Sequence, residues 1–171
     1  MKFEKGQLLV YGVRGVCRVE DIRTEAFGSE EREYCILQPL DDPKATIYLP
    51  TDSDRIEKNV KRVITAEEID RLIGSIPTED IKWIDDNKRR SELFKRILDD
   101  GDRLNLVRLI KSIHIHRDEI EKNGKKLGVA DKNVLERAER IIYDEFAMVL
   151  GIDSDDVGQF IKDRVAGKAC V

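Results

Sequence analysis

The sequence predicts an α+β protein in two parts, a small β-barrel followed by an all-α helical bundle. Three observations predict it. The first third of the chain carries short alternating or β-branched runs separated by glycine and proline turns. From about residue 65 onward, apolar residues recur at helical spacing. Between them, Thr65-Ala66-Glu67-Glu68 has the form of a capping box, a helix start.

The strands come first. Residues 7–11 form a short, mostly apolar run, and 16–22 alternate. Residues 34–37 and 46–49 are β-branched, aromatic or aliphatic. Turn signals separate them: Gly12 and Gly15, then Gly28-Ser29, then Asp41-Asp42-Pro43. Short strands at such close spacing suit a strongly bent sheet, a Tudor- or SH3-like barrel of about five strands. The barrel is assigned to residues 1–57. Residues 58–66 are read as a charged linker, and residues 67–171 as the helical part.

In that second part, Ile69, Leu72 and Ile73 share a face behind the capping box, and Pro77 breaks the helix. Thr78 can cap a following helix carrying Ile81, Trp83 and Ile84, and the apolar stripe continues through Leu93, Ile97 and Leu98 to Gly101. A long helix through Leu106, Leu109, Ile110 and Ile113 ends at Asn123-Gly124, with Gly128 in the loop that follows. Another helix covers about 131–150, with Leu135, Ala138, Ile142, Phe146 and Val149 inward. Gly151 ends it, and Ser154-Asp155-Asp156 opens a last short helix. Five or so helices in about 100 residues make a compact bundle.

Composition narrows the function. The chain is 40% hydrophobic and 39% charged, with a net charge of −4, so any contact with nucleic acid needs a local basic patch. No apolar stretch approaches the roughly 20 residues of a membrane span, and the start of the chain carries no signal-peptide core. A cytoplasmic protein without membrane partners is expected. Cys17, Cys35 and Cys170 are too few and scattered for a metal site or disulfide framework, and the first two read as small buried hydrophobes.

Catalytic groups do not converge. His114 and His116, two apart on a helix, point to nearly opposite sides and cannot chelate one metal from one face. The glycines around Val13 fit no phosphate or dinucleotide fingerprint and suit a tight hairpin instead. Asp85-Asp86, Asp99-Asp100 and Asp155-Asp156 sit where helices start or end, which favours capping or solvation. The expectation is no enzyme, no cofactor, no metal and no small-molecule ligand.

The basic residues are more informative. Trp83 is the only tryptophan, and Lys88, Arg89, Arg90, Lys95 and Arg96 follow it closely. Lys122, Lys125, Lys126 and Lys132 occupy a turn between two helices and the start of the second. Cations neutralise phosphates, and a flat ring stacks on or wedges between bases. The competing reading makes Trp83 a core anchor and each cluster a solvated face.

Phe3, Gly6, Val10-Tyr11, Gly15, Val19-Glu20 and Ile22 resemble the opening of the CarD/CdnL family of bacterial RNA polymerase-binding transcription regulators. Tyr34, Leu37 and Leu49-Pro50 resemble its later strands. The resemblance continues through Trp83, Arg89-Arg90, Lys95, Leu98, Gly101-Asp102, Asp131-Lys132, Leu135, Ala138, Glu145-Phe146-Ala147 and Leu150. The barrel half also occurs in transcription-repair coupling factors; joined to the Trp-bearing helical half it is more specific.

The resemblance implies a Tudor-like domain that docks on the β-subunit lobe of RNA polymerase. It also implies a helical domain that lies on promoter DNA at the upstream edge of the melted bubble. Trp83 would then be a minor-groove wedge stabilising the open complex. Lys88, Arg89, Arg90, Lys95, Lys125, Lys126 and Lys132 would form the DNA face. Where family members place arginines toward polymerase, this chain has Glu25 and Tyr48; with Arg23 these are the expected polymerase contacts, and Arg32 or Lys44 can substitute. The spacing from Trp83 to the arginine pair is about one helical turn longer than in the family. The alternative function is a protein-interaction adaptor that binds no DNA and keeps Trp83 in its core.

Overall fold

The computed structural model describes residues 2–76 and 81–169. The chain divides into two compact units, Met1–Val63 and Ile64–Val171. The first is an antiparallel five-stranded Tudor-like sheet, the second a set of helices, so the α+β expectation holds.

In the first unit, β1 (Leu8–Tyr11), β2 (Val16–Phe27), β3 (Glu30–Pro39), β4 (Ile47–Pro50) and β5 (Val60–Arg62) lie in the order β4-β3-β2-β1-β5. The Gly28-Ser29 turn joins β2 to β3, with Phe27 opposite Glu30. Gly28 has φ +76°, which a two-residue hairpin loop of primed type requires at its first position. β2 and β3 are longer than expected because their outer ends alternate charged with aromatic residues rather than apolar ones. A bulge between Val19 and Asp21 breaks the register and bends the sheet. Leu9, Cys17, Val19, Cys35, Leu37 and Leu49 fill the inner face, joined by Phe3, Ile56 and Val60. Cys17 and Cys35 are free and buried, and burial pushes each thiol up to about 11.

The segment read as a linker is structured. Helix α1 (Arg55–Asn59) and β5 close this unit, with Leu9 opposite Arg62 and Tyr11 opposite Val60. Ile56 and Val60 anchor it in the core of this unit. Four apart among charges, they form neither a strand pattern nor a long helical stripe, which is why the sequence hides them.

In the second unit, α2 (Ala66–Ser75) opens on Thr65. The Thr65 hydroxyl accepts from the Glu68 amide, and the Glu68 carboxylate accepts from the Thr65 amide. Helices α3 (Asn87–Asp100), α4 (Arg103–Glu121), α5 (Val129–Leu150) and α6 (Ser154–Ala169) follow. Asp86 and Asp102 cap α3 and α4 through their side chains. Gly101 and Gly151 end α3 and α5 in the left-handed conformation. Leu106, Leu109, Ile113, Leu135, Ala138, Ile142 and Phe146 form the centre of the core. The last helix runs 16 residues, longer than expected.

The expected helix carrying Ile81, Trp83 and Ile84 is absent; residues 81–86 are irregular. The break at Pro77 and the Thr78 cap lie outside the described residues. Two side chains explain the irregular run. Asp86 takes the cap of α3, and Arg90 takes the carbonyls of Ile84 and Asp85 that a helix through this run would use.

Candidate nucleic-acid interface

Trp83 is half-buried in the segment leading into α3 and packs against the helical core. Its indole stacks on the His116 ring at 3.6 Å and 7° and meets Phe94 edge-on at 5.9 Å. The Arg90 guanidinium lies 4.6 Å from the indole centroid. So the ring is neither sealed inside nor free.

Arg90 is 8% exposed, and its five N–H groups are all engaged. Nε and Nη2 donate to the two Asp131 oxygens, both at 3.0 Å. Nη2 also donates to Asn87 Oδ1, and Nη1 to the carbonyls of Ile84 and Asp85. No N–H is left to offer a phosphate, which corrects the expectation that Arg90 is a backbone contact. It is a latch between the start of α3 and the start of α5.

That latch brings the two basic clusters to one end of the helical unit. Lys88 and Arg89 are exposed on the first turn of α3, next to Arg90 in the chain. Lys132, next to Asp131, is exposed on the first turn of α5. Lys125 and Lys126 are exposed in the turn before α5, which starts at Gly128 without a side-chain cap. Two helix starts thus add their positive ends to five side-chain cations. Lys95 borders the cleft between α3 and α5 that Asp131 and Arg137 also line. Glu136 Oε1 lies 3.8 Å from Lys132 Nζ in a pair that is exposed on both sides and weak.

The histidines part company. His114 Nδ1 accepts from Arg117 at 3.1 Å, which leaves its Nε2 as the nitrogen that donates to Glu139 at 2.6 Å. His116 goes to Trp83. Among the described residues no group of three or more His, Cys, Asp or Glu can hold a metal. No described helix is long and apolar enough to cross a membrane.

The sheet unit has its own candidate surface. Arg23 and Glu25 stand on one face of β2, opposite Tyr34 and Arg32 of β3, and Tyr48 of β4 stands opposite Ile36 on that same face. Arg23 is paired with Glu25 at 2.5 Å and with Asp21 at 3.3 Å. Arg32 is paired with Glu30, and Lys44 is exposed in the turn before β4. Sequence reasoning missed Phe27 and Tyr34. With Tyr48 they form three edge-to-face contacts at 5.2, 5.4 and 6.2 Å. Phe27 is 56% exposed and Tyr48 41%. The signal was present, since residues 23, 25 and 27 alternate onto one face once β2 is read to its full length.

Residues 3–64, the sheet unit, match the family model described as CarD-like/TRCF RID domain, an RNA polymerase-interacting domain. The match supports a transcription-related role for this unit. No curated protein matches the chain.

Proposed function

We propose, from the premise of a CarD-like, polymerase-interacting first unit, that this protein is a cytoplasmic transcription regulator of bacterial RNA polymerase. The first unit docks on the β-subunit lobe. Phe27, Tyr34 and Tyr48 supply exposed aromatic area, and Arg23, Glu25 and Arg32 supply a charged rim. The helical unit lies on promoter DNA at the upstream edge of the bubble. There Lys88, Arg89, Lys95, Lys125, Lys126 and Lys132 neutralise phosphates, and Trp83 wedges into the minor groove. The observation that carries this reading is the Arg90–Asp131 latch, which ties together the helix starts bearing the two basic clusters, with Trp83 packed on Arg90.

The mechanism is differential binding and breaks no bond. A wedge fits only a distorted junction, so it favours the open complex over the closed one. One stacked aromatic contributes about 1–3 kcal/mol, roughly a five- to hundredfold shift. The net charge of −4 is compatible with this, because polymerase tethers the helical unit beside the promoter at high effective concentration.

The half-buried position of Trp83 against Phe94 favours a second reading, an adaptor that uses the indole only for packing. Trp83→Ala in the full chain separates the two. The wedge reading expects a folded protein whose promoter complexes with polymerase decay five- to a hundredfold faster. Unchanged lifetimes with a lowered melting temperature would establish the adaptor.

A further inference from the structure

The irregular segment that carries Trp83 is held on both sides of the indole. Before it, the Ser112 hydroxyl of α4 donates to the Ile81 carbonyl at 2.9 Å. After it, Arg90 holds the carbonyls of Ile84 and Asp85. On it lies His116, whose ring is 3.6 Å away and nearly parallel. Ser112 and His116 are four residues apart on α4 and therefore share one face of that helix. Neither is needed to form or cap the helix. His114, by contrast, is tied to Arg117 and Glu139 and takes no part.

A tryptophan in an irregular run would normally sample several rotamers and lose that freedom on binding. A ring preset by its neighbours has met most of this ordering cost beforehand. We propose that His116, seconded by Ser112, is a positioning residue: it holds the Trp83 indole in the orientation that enters the parted duplex junction. The proposal rests on the wedge reading above and adds to it a device on α4.

Trp83 is the only tryptophan, so its fluorescence reports on this device alone. The full-length chain is compared with His116→Ala, His116→Phe, Ser112→Ala and Trp83→Ala. Three properties are measured: tryptophan anisotropy and emission, melting temperature, and the lifetime of promoter complexes with polymerase. His116→Ala is expected to stay folded, to loosen the indole (lower anisotropy, redder emission) and to shorten the lifetime about two- to tenfold, the worth of one aromatic pair. His116→Phe keeps a ring in place and is expected to restore both the fluorescence and the lifetime. Ser112→Ala leaves the rings untouched and is expected to give a smaller change of the same sign, so the idea stays testable if His116→Ala folds poorly.

An indole whose anisotropy does not change in His116→Ala overturns the proposal. So does a loosened indole with an unchanged lifetime, provided Trp83→Ala shortens it; in that case the wedge stands and the positioning role falls. If Trp83→Ala itself leaves the lifetime unchanged, both fall together.

Discussion

Arg89 and Arg90 are adjacent and chemically identical, yet one is exposed and the other is the one buried cation among the described residues. Helical phase separates them. Arg90, Phe94 and Ile97 stand at i, i+4 and i+7, the buried stripe of α3, and Arg89 lies about 100° away. That spacing was readable in the sequence and argues against Arg90 as a surface contact. Its planar fork grips two carboxylate oxygens and three other acceptors together, which an ammonium cannot do. Arg90→Lys is therefore expected to destabilise the helical unit by about 3 kcal/mol, because the Asp131 carboxylate, itself buried, loses its fork partner. Arg89→Ala is expected to cost less than about 0.5 kcal/mol. Urea denaturation followed by circular dichroism measures both, and near-equal costs would contradict the latch.

At the scale of elements, what was legible depended on whether local signals agreed with tertiary ones. Thr65 and Glu68 announced α2 because a capping box is complete within four residues. The five helices were recoverable from period and glycine stops, since Gly101 and Gly151 end α3 and α5 as expected. β5 was hidden because its pairing partner is β1, some fifty residues earlier, and only Val60 of its three residues is buried. The irregular run at 81–86 was hidden because Arg90, which takes its carbonyls, belongs to the following helix. The meeting of the two basic clusters was equally invisible, since it depends on the Arg90–Asp131 bond between residues 41 apart in the chain. It carries a measurable consequence. If that corner is the DNA face, Lys125→Ala, Lys126→Ala and Lys132→Ala combined should lower the slope of log affinity against log salt by roughly 2–3, with little change in fold. Titrating labelled promoter DNA with the full chain across ionic strength reads the slope. A slope equal to that of the parent protein would move the DNA face elsewhere.

For the whole molecule, the two units differ in how they hold their protons, and alkaline pH should tell them apart. Cys17 and Cys35 lie in the core of the sheet unit, and both are raised from an ordinary value of 9 to about 11, chiefly by burial and for Cys17 also by the nearby Asp41 charge. Tyr143, on α5, is pushed to about 12 by burial and then by the charge of Glu139, to which it also hydrogen-bonds. In each case the folded state keeps a proton that the unfolded chain releases at lower pH. The stability linked to the thiols is therefore complete below about pH 9 and is lost as pH rises toward 11. For Tyr143 the same loss begins near 10 and runs toward 12. The sheet unit should weaken first. Urea midpoints recorded at pH 8, 9.5 and 10.5 should fall for the sheet unit, while the melting of the helical unit, reported by Trp83, lags behind. Replacing Cys17 and Cys35 with the non-ionising residues Ala and Val should flatten the first decline. If the decline persists unchanged in that variant, the thiols are not its source.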